Sequence, residues 1–351
     1  MNGIKEGPHM ITIGIPAYER TKYIKGALES CLRQSGAHFE ILINDTSNND
    51  EIRQIADSLN SPKIRYLRNP VNTPVLTKFN QLVAQGRGDW MLILCDDDLL
   101  DPDYLSSMAV KMRQYPQATL FRSRYKLIDT EGRTLRLDNN CKEFMSAAEF
   151  LSRVFMPEKD FYKMNISGVL FPRELFLKLG GFPELPLAWH SDRLAWAILG
   201  GEGGCVFEER PLCSVRLHPG SITSSFNKKI TSALESDLGA KRIFEGVLEK
   251  VGQSDLSKED RRYLAEARKQ LKIYMSRHLT RSLDHGFIAN LSEKSKARMG
   301  QFQALIQQMK ELQIGHFPSL PFYYVLSRLP FALREPLLVR LKDYKIRKWC
   351  A

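Results

Sequence analysis

Two rhythms of apolar and polar positions alternate along the first 115 residues. MITIGI (10–15), FEILIN (39–44), KIRYLR (63–68) and DWMLILC (89–95) are short apolar runs of the kind that form buried strands. Between them, apolar residues fall three and four apart. Residues 22–34 set Ile24, Ala27, Leu28, Cys31 and Leu32 on one helical face, and 51–59, 74–86 and 101–115 read as further helices. Asn49 or Asp50 is placed to cap the second helix, and Pro102 falls early in the fourth, where its missing N–H is harmless. Strands alternating with helices at this spacing predict a parallel α/β sheet. Ligands of such sheets bind outside the carboxyl ends of the strands. The segments there are PAYER (16–20), DTSNND (45–50) and the end of CDDD (95–98), so three strands aim polar residues at one edge.

Beyond residue 115 the pattern loosens. ATLFRSRYKLI (118–128) and GVLF (168–171) read as strands, and RELFLKLGGF (173–182) as a helix closed by glycines. SDRLAWAILGG (191–201) is a helix with Ser191 as its expected N-cap. CVFEERPLCSVRLH (205–218) is a strand pair or one long bent strand. From about 230 the chain turns helical and polar, and 316–349 mixes prolines, aromatics and basic residues.

Composition sharpens this picture in three ways. The net charge of +11 favours an anionic partner, but residues 231–351 hold 22 Lys+Arg against 13 Asp+Glu, so the basic excess belongs to the C-terminal third. The six cysteines have no CxxC spacing and point to reduced thiols of a cytoplasmic protein, not to disulfides or zinc. No apolar run reaches the length of a membrane-spanning helix. The first nine residues, with a GPH(M) stretch of the kind left by cloning, stay outside the fold.

Asp96, Asp97 and Asp98 stand in a row at a strand's carboxyl end. Adjacent carboxylates repel, and a divalent Mg²⁺ or Mn²⁺ shared with substrate phosphates relieves that repulsion. The same run also suits a solvated acidic turn in which Asp98 or Asp101 caps the next helix.

In this order, IGIPAYERTKYIKGALESCLRQ, FEILINDTSNND, KFNQLVAQGRGDWMLILCDDDLL, SDRLAW and VRLHPGSITSS resemble the family-2 glycosyltransferases of GT-A fold. The match spans residues 10–225. It implies a half-Rossmann-like, mostly parallel sheet flanked by helices over 10–228, followed by a helical basic region over 229–351. It also implies roles. Pro16, Ala17 and Tyr18, with Glu19 in place of the family's usual Asn, correspond to the loop packing on the donor nucleobase. Asp45 corresponds to the aspartate that hydrogen-bonds the base, Asp96 to a ribose contact, and Asp97 to the metal ligand, with Asp98 beside it. Asp192 corresponds to the general base, and His218 to a residue near metal and diphosphate. Thr46, Cys95 and Ser191 depart from the family pattern at positions usually acidic.

Inverting transfer is a direct displacement at the anomeric carbon, so one carboxylate opposite the leaving diphosphate suffices as base. Asp192 in a first helical turn is suited to this, and equally to favouring the helix dipole. HPGSITSS gathers His218, Ser221 and further hydroxyls in a loop suited to closing over a diphosphate, and Arg216 on the preceding strand adds positive charge. Tyr18 equally suits a core aromatic, His218 a surface histidine before a turn, and Asp45 a helix cap. Lys78 and Asn80 read as surface and packing residues.

In 319–349, aromatic and leucine anchors beside basic residues suit an anionic membrane surface, or packing on the protein or a second subunit. The expectation is a cytoplasmic enzyme, peripheral on the inner face of the cell membrane, that takes a nucleotide-sugar donor, UDP- or dTDP-linked, and a glycan or lipid-linked glycan acceptor, with homo-oligomerisation open. A nucleotidyltransferase is the alternative enzyme, weakened by the lack of a glycine-rich phosphate loop after the first strand. A catalytically degenerate GT-A scaffold is the other. Nucleic acid is not expected as a partner, because the basic residues form no recognisable binding module.

Overall fold

The structure is a computed structural model that describes residues 9–71, 73–156, 164–218 and 230–291. The chain forms two compact units, and both are discontinuous in sequence. The first comprises Met1–Glu184, Ser191–Ser221 and Ile243–Arg268; the second comprises Leu185–His190, Ile222–Arg242 and Lys269–Ala351.

The first unit is organised around one sheet. Its N-terminal half alternates β1 (Met10–Ala17), α1 (Ile24–Leu32), β2 (His38–Asp45), α2 (Glu51–Ser58), β3 (Ile64–Arg68), α3 (Val75–Gln85) and β4 (Trp90–Ile93). After these come β5 (Leu99–Leu100), α4 (Tyr104–Gln114), β6 (Leu120–Ile128), β7 (Thr134–Leu137), β8 (Phe144–Met145), α5 (Ala147–Val154), β9 (Val169–Pro172), α6 (Arg173–Lys178), α7 (Ser191–Gly203) and β10 (Cys205–Arg216). The strand order is β3-β2-β1-β4-β9-β6-β10-β5, with β7 beside β6 and β8 beside β10.

β1 pairs in parallel with β2 and with β4, and β2 with β3. The order therefore runs outward from β1 to β3 and then reverses, because α3 carries the chain back to β4 on the far side of β1. That reversal opens a crevice at the carboxyl ends of β1 and β4, where open α/β sheets bind ligands. β1, β2 and β4 are almost wholly buried, as expected of parallel strands covered on both faces. On one face Ile13, Ile15, Ile41 and Ile43 meet Leu28 and Ile52 from α1 and α2, and Tyr104 and Met108 from α4.

The second half of the sheet is mixed. β9 is antiparallel to β4 and β6, whereas β6 and β10 are parallel. Residues 205–216 form one bent strand, whose register against β6 shifts between Glu208 and Cys213 around Pro211, a residue with no N–H to give the ladder. Three further elements differ from the sequence expectation. The fourth helix begins at Tyr104, with Pro102 in the turn before it. Ser191 is the first residue of α7, and its hydroxyl donates to the Pro183 carbonyl instead of capping the helix. Helix α5 was not expected, although SAAE at 146–149 carries its start signal, for Ser146 Oγ accepts from Glu149 N at 3.2 Å.

Unit two contains the start of α8 (Ile230–Gly252) and most of α9 (Lys258–Leu291). Within it, the buried His190 ring is fixed at both nitrogens, Nε2 to Asp237 Oδ1 at 2.7 Å and Nδ1 to Tyr274 Oη at 2.8 Å. No helix of the described residues is long and apolar enough to cross a membrane.

Candidate active site

The three polar segments foreseen at the sheet edge come together there. Ala17 pairs with Asp45 at the end of β1 and β2, and Asp45 pairs in turn with Arg68 on β3. The acidic turn follows β4 directly, with Leu94 N bonded to Gly14 O of β1 at 3.0 Å.

Asp96, Asp97 and Asp98 are all buried, which excludes the solvated-turn reading. The turn is clamped from three sides. From the corner before β9, Ser167 Oγ accepts from Cys95 N at 2.9 Å. From the end of β10, Arg216 N donates to Asp98 Oδ1 at 2.8 Å and Arg216 Nε to the Asp97 carbonyl at 2.9 Å. From the loop after β1, Arg20 lays its guanidinium across two carboxylates. Its Nε and Nη2 grip both oxygens of Asp96, and its Nη1 lies 3.3 Å from Asp97 Oδ2. His218 Nε2 approaches that same Asp97 oxygen at 2.7 Å.

Burial pushes the Asp96 carboxyl up to about 7, opposed by Arg20 and helped by Asp97. Burial, with the Asp97 charge second, pushes Asp98 to about 7 as well. The Cys95 thiol is raised well above its ordinary value by burial and the neighbouring carboxylates, and is therefore held neutral. Burial opposes the charge on Arg20, but Asp96 and Asp97 outweigh it, and the net effect is upward.

These observations test whether the turn suits a divalent cation. Oxygens of Asp97 and Asp98 and the Cys95 sulfur lie within 4.8 Å of one another. The Asp96 and Asp98 carboxyls resist ionisation, and added positive charge would relieve that resistance. The oxygen-rich donor set suits Mg²⁺ or Mn²⁺, with Asp97 and Asp98 as the residues to hold it. Charge-assisted hydrogen bonds are worth about 1.5–3 kcal/mol when buried. The Arg20 side chain is 33% exposed, so the value of its fork falls toward the roughly 1 kcal/mol typical of solvated pairs.

The β1–β2–β3 side of the crevice is equally ordered. Glu19 takes a left-handed conformation (φ 51°), and its N–H donates to Ser47 Oγ at 2.7 Å. Asp45 is wholly buried; Oδ1 accepts from Ser47 N and Oγ, and Oδ2 from Tyr66 Oη at 2.5 Å. It caps no helix side-on, for its lone pairs serve the β1–β2–β3 edge. Burial and the Asp45 carboxylate push the Tyr66 phenol up to about 12. Arg68 packs on Tyr66 and bonds the Ser47 and Asn49 carbonyls.

Tyr18 is 43% exposed, which makes it an open platform and not a core aromatic. Pro16 and Ala17, just before it in the chain, are the last residues of β1. Lys78 corrects the sequence reading. It is buried, its Nζ lying 3.4 Å from Thr46 Oγ1 and 5.7 Å from the Tyr18 ring centre. Burial lowers its pKa, and the pull of Asp96 only partly compensates. Asn80 does pack, bonding the Phe182 backbone through both ends of its amide.

Arg20 and Tyr23 were not foreseen. Arg20 had one legible signal, a cation on one strand end facing three anions on the next. Tyr23 lies beneath the Arg216 guanidinium at 4.4 Å and beside the His218 ring at 5.6 Å. Asp192 lies in the first turn of α7, partly buried, with Oδ1 accepting from Arg193 N at 2.7 Å. It shares no hydrogen bond with the acidic turn among the described residues. Ser221 lies outside the described residues, as does 319–349.

The reversed, mostly parallel sheet with an acidic turn at its edge has the architecture of a GT-A fold. Residues 12–174 match the family model Glycosyl transferase family 2. The chain is 26% identical over 185 residues to an uncharacterised protein, MT1568, of Mycobacterium tuberculosis; the match covers 49% of this chain and 56% of that relative's own length. Among solved structures it is similar to Staphylococcus aureus TarS 1–349 in complex with UDP, with a TM-score of 0.62 and 15% identity over 97% of this chain and 91% of that one. The complex of the same TarS fragment with UDP-GlcNAc matches equally, over 92% of its length. At this identity the likeness is one of fold.

Proposed function

We propose that the protein is an inverting glycosyltransferase. It moves a sugar from a nucleoside diphosphate donor to a hydroxyl of a glycan or lipid-linked glycan. The observation that carries this reading is the sheet edge itself, where three buried carboxylates are ringed by Arg20, Lys78, Arg216 and His218. Alternating charge of this kind suits a diphosphate and its counter-ion better than a neutral ligand. A divalent cation held by Asp97 and Asp98 would supply charge neutralisation for the leaving diphosphate.

The remaining work falls to the chain's own groups. Tyr18 offers a face for the nucleobase beside the Asp45 edge. Lys78 lies beneath that platform and places positive charge next to Asp96. Arg216 cannot leave, since its backbone and side chain hold the turn; its contribution is to fix the carboxylates. Asp192 accepts the proton of the acceptor hydroxyl as the new bond forms, and the hydrogen bond from Arg193 N holds one of its oxygens in place. Uridine donors come first, since the TarS fold relative binds UDP and UDP-GlcNAc. Membrane docking through 319–349, and residence at the inner face of the membrane, belong to this reading as proposals.

The test is calorimetric binding of UDP, dTDP, GDP and CDP, with and without Mn²⁺, to the wild type, Asp97→Ala and Asp192→Asn. One nucleotide should bind tightly, require Mn²⁺, and weaken by at least tenfold in Asp97→Ala. Asp192→Asn should bind it as the wild type does, yet lose at least a hundredfold in transfer. Failure of every nucleotide to bind in the presence of Mn²⁺ would overturn the enzyme reading and favour a degenerate scaffold.

A further inference from the structure

We propose that Arg20 is a built-in counter-cation of the acidic turn, occupying the carboxylate face that a divalent cation needs, so that cation binding and release of Arg20 are one linked event. This deepens the reading above and rests on it only in assigning a divalent cation to the turn.

Three observations carry the inference. The first is that Arg20 grips Asp96 with two donors and reaches Asp97 with a third. A planar fork of this kind matches the carboxylate geometry, and no other described residue contacts both acids by side-chain hydrogen bonds. The second is that Asp97 Oδ2 is already shared between Arg20 and His218, at 3.3 and 2.7 Å. An incoming cation must displace at least one of them to reach that oxygen. The third is that Arg20 is not built into the scaffold. Arg20 follows the left-handed Glu19, lies outside any helix or strand, and has a third of its side chain in solvent. Arg216 contrasts with it in every respect, being buried and bonded through N, Nε and Nη1. One arginine is a fixture, and the other is positioned to leave.

Competition of this kind lowers apparent affinity by the fraction of molecules whose site is open. A guanidinium resident in about nine molecules of ten weakens the cation about tenfold. A nucleoside diphosphate counters the loss in two ways, by bringing its own oxygens to the cation and by offering the released guanidinium a new anion. The cation should therefore bind weakly alone and well with the nucleotide, and by reciprocity the nucleotide should need the cation.

The experiment measures Mn²⁺ binding by electron paramagnetic resonance of the free ion, without nucleotide, for the wild type, Arg20→Gln and Arg20→Lys. Thermal melts establish that each is folded. Arg20→Gln should bind Mn²⁺ about tenfold tighter. Arg20→Lys keeps the charge but loses the fork, and should bind several-fold tighter. Equal affinity in wild type and Arg20→Gln overturns the proposal, as does an absence of Mn²⁺ binding in all three. Wild-type behaviour of Arg20→Lys beside a tighter Arg20→Gln overturns it too, by assigning the effect to long-range charge. A parallel titration of the wild type with UDP and Mn²⁺ separates the two readings. Metal-dependent UDP binding with a flat Mn²⁺ series removes the Arg20 inference and keeps the enzyme. The expected Mn²⁺ series with no nucleotide binding does the reverse.

Discussion

Asp98 illustrates how far one side chain is shaped by its surroundings. An unfolded aspartate loses its proton near pH 3.8, whereas burial and the Asp97 charge hold the folded group to about 7. Between those values the unfolded chain has released a proton that the folded chain keeps, so rising pH disfavours the folded state. Asp98→Asn removes that loss and keeps an oxygen for Arg216 N. In chelator-treated samples, the melting temperature of the variant minus that of the wild type should therefore grow by a few degrees between about pH 4 and pH 7.5. A difference that is flat or shrinks would show that Asp98 is ionised throughout. Residue identity was legible where a motif carried it, as in the aspartate run and His218. It was not legible for Lys78, whose burial depends on Thr46 and Tyr18, more than thirty positions away on other elements. Arg20 was overlooked beside Glu19 for a related reason: its partners lie 76 and 77 positions on.

Elements with local causes were read directly from the pattern. The buried strands and the α1 face follow from periodicity, and their observed bounds differ by only a residue or two. The mixed half of the sheet was harder, because the antiparallel setting of β9 is decided by what it meets. Its entry corner is a case in point. Gly168 has φ +73°, and a Cβ there would lie 2.7 Å from Cys213 Sγ. Gly168 N also bonds the Ile93 carbonyl of β4, and its neighbour Ser167 holds the acidic turn. Gly168→Ala should therefore cost about 1–3 kcal/mol of stability by denaturant unfolding and weaken metal-dependent nucleotide binding along with it. Loss of stability with binding intact would show that the corner supports the sheet and not the turn.

At the scale of the molecule, the first unit is assembled from separated pieces. Ile243–Arg268 supplies it with Phe244, Leu248, Val251, Leu264 and Ala267, all buried, and Phe244 meets Phe155 edge to face at 4.7 Å. Truncating one buried phenylalanine to alanine typically costs about 3–5 kcal/mol, and whole domains are stable by only about 5–15 kcal/mol. A chain ending at residue 228 should accordingly lack a cooperative melt in circular dichroism. A sharp transition within a few degrees of the full-length protein would show that the helices after 228 are dispensable to the sheet. The clamp on the acidic turn has a consequence of its own for a chain being synthesised from its N-terminus. Arg216 reaches Asp98 and Asp97 across 118 and 119 positions. A nascent chain of 200 residues already contains the carboxylates and Arg20 but neither Arg216 nor His218. The N-terminal βαβ half can order before the acidic turn has its final partners. The acidic turn thus gains its full set of partners only when the last strand closes the sheet.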